Sequence, residues 1–374
     1  MNPSRRHFLK TCSLCSLLSI TPGLLTSCFS GPSGALRGPV GPVANARLSA
    51  AAAGILNHAA LAPSGHNSQP WQVSLHSPRH WSIGIPPRRR LPAVDPHARE
   101  SLISLGAFVE NLVQAALAYG YQVAASVTAS DPQETKILEI KLSPQSPATT
   151  VDLSLLGQRR TVKQGQQQRL LQSSDVRLLQ LSSQHRLDYL PRDQATAASI
   201  RAGTVLAMAS QCQRDAAMAE LARWIRFRRS AVNRQRDGLT VAGMELNGLA
   251  GWWVGNFYQA DDVMTETFRR KTVTITEELS RQGAGWLVLH SAGDSPTELI
   301  AVGRSLQRIL LQARRLNIAC HPMSQLLEEQ IGQRELALQF GADHSIQMLL
   351  RVGYLERYPA PVTPRRPAQW FVTG

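Results

Sequence analysis

The sequence predicts a helix-rich α+β fold. Three observations predict it: long helical segments with an apolar stripe at 100–119 and 300–316, apolar strand-like runs beside them, and a shared order of helix, turn and strand in LVQAALAYGY and LLQARRLNIA. The likeness of those two stretches is a weak internal repeat. With 374 residues and 43% hydrophobic content, the chain can bury a sizeable core in one large domain or two ordinary ones.

The first thirty residues read as an address. MNPSRRHFLK is a basic head, 11–25 a modest apolar run and TSC a small-residue exit, which is the order of a signal peptide. The apolar run falls short of the roughly 20 residues that span a membrane, and serines and a proline dilute it. Ser4-Arg5-Arg6-His7-Phe8-Leu9-Lys10 resembles the twin-arginine (Tat) export motif, and Leu25-Thr26-Ser27-Cys28 a bacterial lipobox in which Cys28 receives lipid. These resemblances imply a Tat signal over 1–27, the Tat export machinery as a partner, and a periplasmic protein held to a membrane through lipidated Cys28. The Tat route carries folded proteins, which suits a cofactor inserted before export. Residues 28–45 are rich in Gly, Pro and small residues and read as a flexible tether.

Structure is expected from residue 46. Ala46–Ala62 has helical spacing and stops at Pro63. Glu100–Tyr119 is a second helix, with Leu102, Leu105, Phe108, Val109, Leu112 and Ala116 as its stripe and Gly120 as its stop. Strands follow at Gln122–Thr128 and Lys136–Leu142, then a linker at Ser143–Thr150. Leu155–Gln168 carries a basic cluster, and a helix is expected around Asp175–Leu181. From Gln194 to Arg281 the text is helical and includes the apolar GLTVAGMELNGLAGWWVG, interrupted by Glu245 and Asn247. Trp286–His290 reads as a buried strand, Ile300–Leu316 as an amphipathic helix and Ile346–Tyr354 as a strand.

The net charge is +14, with Arg5, Arg6 and Lys10 the only charges before Cys28. Such an excess fits a solvated basic face that favours anionic lipid headgroups. Zinc-finger spacing, an aromatic RNA-binding signature and a clear basic recognition helix are all missing, so nucleic acid is not an expected partner. Cys212 and Cys320 define no disulfide scaffold; pairing and free thiols both stay open. His76 and His80 are spaced for a metal on a helix that Pro78 would break, and no metal is assigned. No phosphate loop, nucleophile elbow or dinucleotide fingerprint is found, Gly248, Gly251 and Gly255 included.

The chemistry points to Ala62-Pro63-Ser64-Gly65-His66-Asn67-Ser68-Gln69-Pro70-Trp71. Two prolines fix a loop dense in donors and acceptors, able to line the edge of a flat heterocycle. The loop resembles the Ala-Pro-Ser-x-x-Asn-x-Gln-Pro-Trp element of the nitroreductase family, which lies beside an FMN ring. Arg159-Arg160-Thr161-Val162-Lys163 is similar to the family's element for the FMN phosphate and ribityl chain. His321-Pro322-Met323 stands where the family places backbone near the flavin N5, and Thr363-Pro364-Arg365-Arg366-Pro367 resembles its terminal basic segment. A phosphate dianion wants guanidinium forks and an ammonium, so the set is chemically coherent.

The resemblance thus implies FMN held by Pro63, Ser64, His66, Asn67, Gln69, Arg159, Arg160, Thr161, Lys163, His321, Pro322, Met323, Arg365 and Arg366, with no catalytic residue assigned. The basic element follows the Pro-Ser loop by nearly a hundred residues, the reverse of the ordinary order. Two reduced nitroreductase-like halves in one chain, an internal pseudo-dimer, explain that order. RRRLPAVDPHARESLISLGAFVENL looks like the hallmark of a Tat-exported, Acg-like branch built this way. The implied organisation is halves at 46–148 and 149–374, a helical lid at about 195–281 with Gly248–Val254 against the flavin's open face, and a monomer with one FMN. The implied activity is two-electron transfer from a small electron donor to a small aromatic or quinone-like acceptor. A flavoprotein that sequesters FMN or senses redox state with little turnover, and a basic lipoprotein with no cofactor, are the alternatives.

Replacing Arg5 and Arg6 by Lys is expected to leave the precursor in the cytoplasm, and Cys28→Ala to release mature protein from membranes. Fractionation with immunodetection checks both; membrane retention of the Cys28 variant contradicts the lipobox alone.

Overall fold

In the computed structural model the first half opens on helix α1 (Ala50–Ala59), capped by Ser49, whose hydroxyl accepts the Ala52 N–H at 3.1 Å. A hairpin of β1 (Gln72–Ser77) and β2 (His80–Gly84) follows, then α2 (Arg99–Ala118), β3 (Tyr121–Val127) and β4 (Lys136–Pro144). The second half begins with α3 (Leu153–Gln158), α4 (Ser173–Leu181) and β5 (Leu187–Pro191). Its central stretch runs through α5 (Ala195–Gln213), α6 (Asp215–Trp224), β6 (Ile225–Arg226), α7 (Arg229–Gln235), β7 (Leu239–Thr240), α8 (Gly248–Phe257) and α9 (Glu266–Ser280). It closes with β8 (Gly285–Ser291), α10 (Pro296–Arg315), β9 (Ile318–Pro322), α11 (Gln325–Glu328), α12 (Gln330–Phe340), β10 (Ser345–Tyr354) and β11 (Val372–Thr373). The described residues are Arg37, 48–148, 151–246, 248–340 and 345–374; the expected signal peptide, its twin-arginine motif, Cys28, the tether apart from Arg37, and Asn247 lie outside them.

One arrangement occurs in both halves. β2 leads through α2 to β3 and then β4, with the strands ordered β2-β4-β3; β8 leads through α10 to β9 and then β10, ordered β8-β10-β9. β1 flanks β2 as β5 flanks β8, and all these pairs are antiparallel. Both helices are 20 residues long and leave through a left-handed residue, Gly120 (φ 81°) or Asn317 (φ 55°), which turns the chain straight into the next strand.

Helices α2 and α10 lie against each other between the two sheets. At their contact each helix presents a glycine, with no room for a β-carbon. A Cβ on Gly106 would stand 2.2 Å from the Ile300 carbonyl oxygen, and one on Gly303 would stand 2.1 Å from the Ile103 carbonyl oxygen. The two Ile-x-x-Gly stretches therefore meet reciprocally, backbone on backbone. Beside the contact, buried Glu110 accepts hydrogen bonds from Arg304 Nε and from Arg308 Nε and Nη2, all at 3.0 Å, and Gln307 Nε2 donates to Asn111 Oδ1 at 2.7 Å. Burial pushes the Glu110 carboxyl upward, but the hydrogen bond and charge of Arg308 and the charge of Arg304 hold it below its ordinary value. One apolar core runs through both halves, with Trp71 stacked on Phe108 at 4.9 Å. By length and composition α2 could cross a membrane, but it is mostly buried in this core.

The C-terminal segment returns from β10 to the first half. β11 pairs in parallel with β1, Val73 opposite Val372, at the edge of the first sheet. On the way, Arg366 Nη2 donates to the carbonyls of Gln69 (2.6 Å) and Trp71 (3.1 Å), and the Ala368 N–H to Asn57 Oδ1 at 2.9 Å.

The segment expected to be helical from 194 to 281 also holds the short parallel pair β6 and β7. The expected linker starts late, because β4 continues to Pro144. Cys212 and Cys320 are buried and unpaired.

Gly106→Ala and Gly303→Ala are each expected to cost about 1–3 kcal/mol, since a backbone carbonyl cannot step aside without parting the helices. Chemical denaturation checks this; unchanged midpoints for both variants would show that the close approach is not needed.

Candidate functional site

The loop at 62–71 is held in an unfavourable backbone shape. His66, Asn67 and Gln69 all lie in the left-handed region at φ 49–50°, at a cost of roughly 1–2 kcal/mol each. Side chains and neighbouring segments fix them there. Ser64 Oγ accepts the Gln69 N–H at 3.0 Å. The Asn67 amide donates to Gly238 O (3.1 Å) and accepts from Arg365 Nη1 (3.0 Å), while Gln69 Nε2 donates to Arg236 O at 2.8 Å and Gln69 Oε1 accepts the Arg366 N–H at 2.8 Å. The loop is thereby tied to the central stretch and to the C-terminal segment together.

The loop forms one wall of a cavity of about 440 Å³. The cavity gathers Pro63, Ser64, His66 and Asn67 with Arg159, Thr161, Lys163, His321, Pro322, Met323 and Arg365, and its volume suits a small-molecule site. Gln69, Arg160, Arg366 and Trp71 stand behind the wall. Gln69 and Arg366 bind each other and the backbone, Trp71 belongs to the core, and Arg160 pairs with Glu245 at 2.5 Å. Asn67 reaches the wall, yet its amide is engaged by protein on both ends, so it braces the loop.

One end of the cavity is strongly cationic. Arg159 and Arg365 are nearly fully buried, both donate to the Leu61 carbonyl (3.0 and 3.4 Å), and the Nε of each has no partner. Arg37, in the segment expected to be a tether, joins them: Nε and Nη2 reach Thr363 O and Oγ1, both at 2.9 Å, and Nη1 reaches Gly157 O at 2.8 Å. Among the described residues no carboxylate forms an ion pair with these three guanidinium groups. Burial lowers all three, and repulsion adds to it at two: Arg37 falls to about 9 through burial, Arg159 and Arg160, and Arg365 falls through burial, Arg37 and Arg159, while Arg159 is lowered by burial against Tyr358 and Cys320. Lys163 is lowered chiefly by burial, with Glu245 acting against it. Like charges confined without a counterion make a seat for a multiply charged anion, whose binding would relieve the repulsion.

His66 and the C-terminal end of β9, with Met323 just after it, also line the cavity. His66 is lowered to about 4 by burial and by Lys163, so its ring is neutral at neutral pH, and its Nδ1 has no partner. His321 is lowered further by burial, Arg351 and Lys163, and its Nδ1 lies 3.2 Å from Arg351 Nη2. The Met323 N–H donates to Leu349 O at 3.0 Å, so this amide is not free for a ligand.

The opposite wall is apolar and comes from the central stretch: Met208, Met218, Leu221, Leu239, Met244, Phe268 and Ile275. Here the sequence expectation needs correcting at Gly248–Val254. Helix α8 contributes nothing to the cavity, and Leu249 is 86% exposed, with Trp252 and Phe257 also exposed. Hydrophobicity alone pointed to α8, but the wall is made by α5, α6 and α9 together with β7 and the turn that follows it. Arg37, Glu100, Gln211, Ser324 and Glu328 are cavity or near-cavity residues that sequence reasoning did not single out.

No family model matches the chain. It is similar in sequence to the Mycobacterium tuberculosis protein named "Putative NAD(P)H nitroreductase Rv3131", 25% identical over 83% of this chain and 88% of that one. It is likewise similar to "Uncharacterized protein Rv3127" of the same organism, 27% identical over 83% of this chain and 89% of that one. Among solved structures, a nitroreductase-like family protein from Bacillus cereus aligns with a TM-score of 0.34 at 12% identity, over 59% of this chain and 94% of that one. The FMN-dependent nitroreductase NfnB from Mycobacterium smegmatis, in complex with NADPH, aligns with a TM-score of 0.34 at 15% identity, over 56% and 96%.

Proposed function

We propose that the chain is an exported FMN-binding, nitroreductase-like oxidoreductase that acts on a small aromatic or quinone-like acceptor. The observation that carries this reading is the unneutralised cluster of Arg37, Arg159 and Arg365 at one end of a cavity whose wall is the strained Pro-Ser loop. The sequence likeness to an M. tuberculosis protein named as a nitroreductase supports it. The residues fit the group. Arg159, Lys163 and Arg365 would hold the phosphate, Thr161 and Thr363, which line the same cavity, would meet the ribityl chain, and His66, with an unpartnered ring nitrogen, would face the ring edge.

When bound, FMN supplies two-electron hydride chemistry. The protein's part would be to fix the ring between the loop and the C-terminal end of β9, and to keep water out with the apolar wall that Met208, Met218 and Met244 help to form. We further propose that the two halves form an internal pseudo-dimer and that the stretch 195–281 is its lid. The repeated order β2-β4-β3 and β8-β10-β9, the reciprocal glycine contact and the return of β11 to the first sheet support that reading. Export through the Tat pathway and anchoring at Cys28 rest on the sequence motifs. The apolar wall also favours a second reading, in which FMN is held with little turnover.

The test is binding of FMN and riboflavin to purified protein, followed by absorbance and fluorescence. Riboflavin is expected to bind at least about tenfold more weakly, and Arg159→Ala or Arg365→Ala to cost about 1.5–3 kcal/mol in FMN affinity. Equal affinity for both flavins, unaffected by either substitution, contradicts the assigned phosphate end. Steady-state assays with reduced nicotinamide and quinones then separate an oxidoreductase from a protein that only holds FMN.

A further inference from the structure

The cavity has a second polar end that the phosphate reading leaves unused. Glu100 stands in the first turn of α2, in the first half; Glu328 ends α11, in the second; both line the cavity. Glu100 Oε2 lies against the strained loop, 2.9 Å from where a β-carbon on Gly65 would sit. Gln211 Nε2 donates to Glu328 Oε2 at 2.6 Å. Ser324, one turn before Glu328, is 4% exposed, lines the same cavity, and its Oγ has no hydrogen-bond partner.

The charged neighbours are already committed. Asp95 caps α2 through the N–H groups of Glu100 (3.0 Å) and Ser101 (2.8 Å), and Arg99 donates to the Gln347 carbonyl. Arg214 pairs with Glu329 at 2.6 Å, and Glu220 accepts the N–H groups of Ala93 and Val94. His66, next to Gly65 in the loop, is neutral. Neither Glu100 nor Glu328 forms an ion pair with a described residue. Glu100 and Glu328 are both half-buried and line the same space, so ionising one works against ionising the other. Burial raises both well above the ordinary carboxyl range, and the charge of Glu100 raises Glu328 further while Arg99 acts the other way. Both shifts favour the protonated carboxyl over the carboxylate. A cationic ligand is disfavoured, because Arg159, Lys163 and Arg365 line the same cavity.

We propose that Glu100 and Glu328, with Ser324 and Gln211, form a proton-delivering end of the cavity that binds the carbonyl oxygen of a small quinone. This deepens the function proposed above and rests on it for the reductant, a bound reduced flavin. The quinone takes a hydride from that reductant, which is two electrons and one proton. The second proton comes from the carboxyl pair: one carboxyl O–H bond breaks, an O–H bond forms at the quinone oxygen, and the pair becomes one charge more negative. Water restores its proton. The flavin ends oxidised by two electrons, the quinone reduced to hydroquinone.

The experiment uses the full FMN-loaded protein and duroquinone, whose ring offers no open position to the Cys212 thiol in the cavity wall. Equilibrium dialysis of the oxidised protein measures binding without turnover; single-turnover reduction by the pre-reduced protein measures proton delivery. Wild-type affinity is expected to fall about tenfold between about pH 6 and about pH 9, as the pair loses the protons it offers to the carbonyl. Glu100→Gln/Glu328→Gln keeps donors at both positions, so its binding is expected to be pH-independent and within a few-fold of wild type. Its single-turnover rate should fall about 100-fold. FMN affinity of the variant, expected unchanged, reports that it is folded. Duroquinone binding without pH dependence in the wild type, or an undiminished rate in the double variant, overturns this proposal. Failure of the wild type to bind FMN overturns instead the function on which it rests.

Discussion

Where Gly106 meets Gly303, two long helices touch without side chains between them, and each glycine leaves room for the other helix's carbonyl. That contact sets how near the halves come. Because α2 carries Glu100 and Ile103 to the cavity at its start, while α10 carries Leu306 and Leu310 and hands the chain to His321, the distance between the helices fixes the width of the cavity. The buried Glu110 with Arg304 and Arg308 adds a directional lock to a contact that close packing alone would let slide. The C-terminal segment then carries Thr363 and Arg365 back across the same seam and ends as a strand of the first sheet.

The cavity so formed is divided by charge. Its cationic end stores repulsion among guanidinium groups, and its carboxyl end sets two half-buried acids against each other. Such burial is unfavourable by itself and persists where the surrounding structure over-determines it. The loop at 62–71 is strained in the same sense, with left-handed residues held by hydrogen bonds to elements from elsewhere in the chain. A dianionic phosphate at one end and a proton-accepting oxygen at the other would each relieve part of that cost.

Much of this was legible in the sequence. The helices at 100–119 and 300–316 and the strands at 286–290 and 346–354 appear within a few residues of their expected bounds, because a buried stripe of 20 residues leaves a strong period. The faint echo LVQAALAYGY and LLQARRLNIA corresponds to the repeated helix, left-handed turn and strand. Motif residues such as His66, Arg159, Lys163 and Arg365 converge on one cavity from distant positions. The roles of their neighbours were not legible. A local motif cannot say that Gln69 and Arg366 face each other behind the wall, or that Arg160 is neutralised by Glu245, since those partners are set by tertiary contact. The pairing of Glu100 with Glu328 across the halves has no local signature at all. Arg37 was hidden by glycines and prolines around it, and α8 misled because an apolar run reads as buried whether or not the fold covers it.

The central claim is that a single chain completes the cavity from its two halves and holds one flavin there. Native mass spectrometry of the mature, flavin-loaded protein, with flavin released and quantified from the same sample, tests it most directly. The account predicts a single chain carrying one FMN, with no flavin lost on dilution to the monomer. An obligate dimer carrying two flavins, each released when the subunits part, would contradict it.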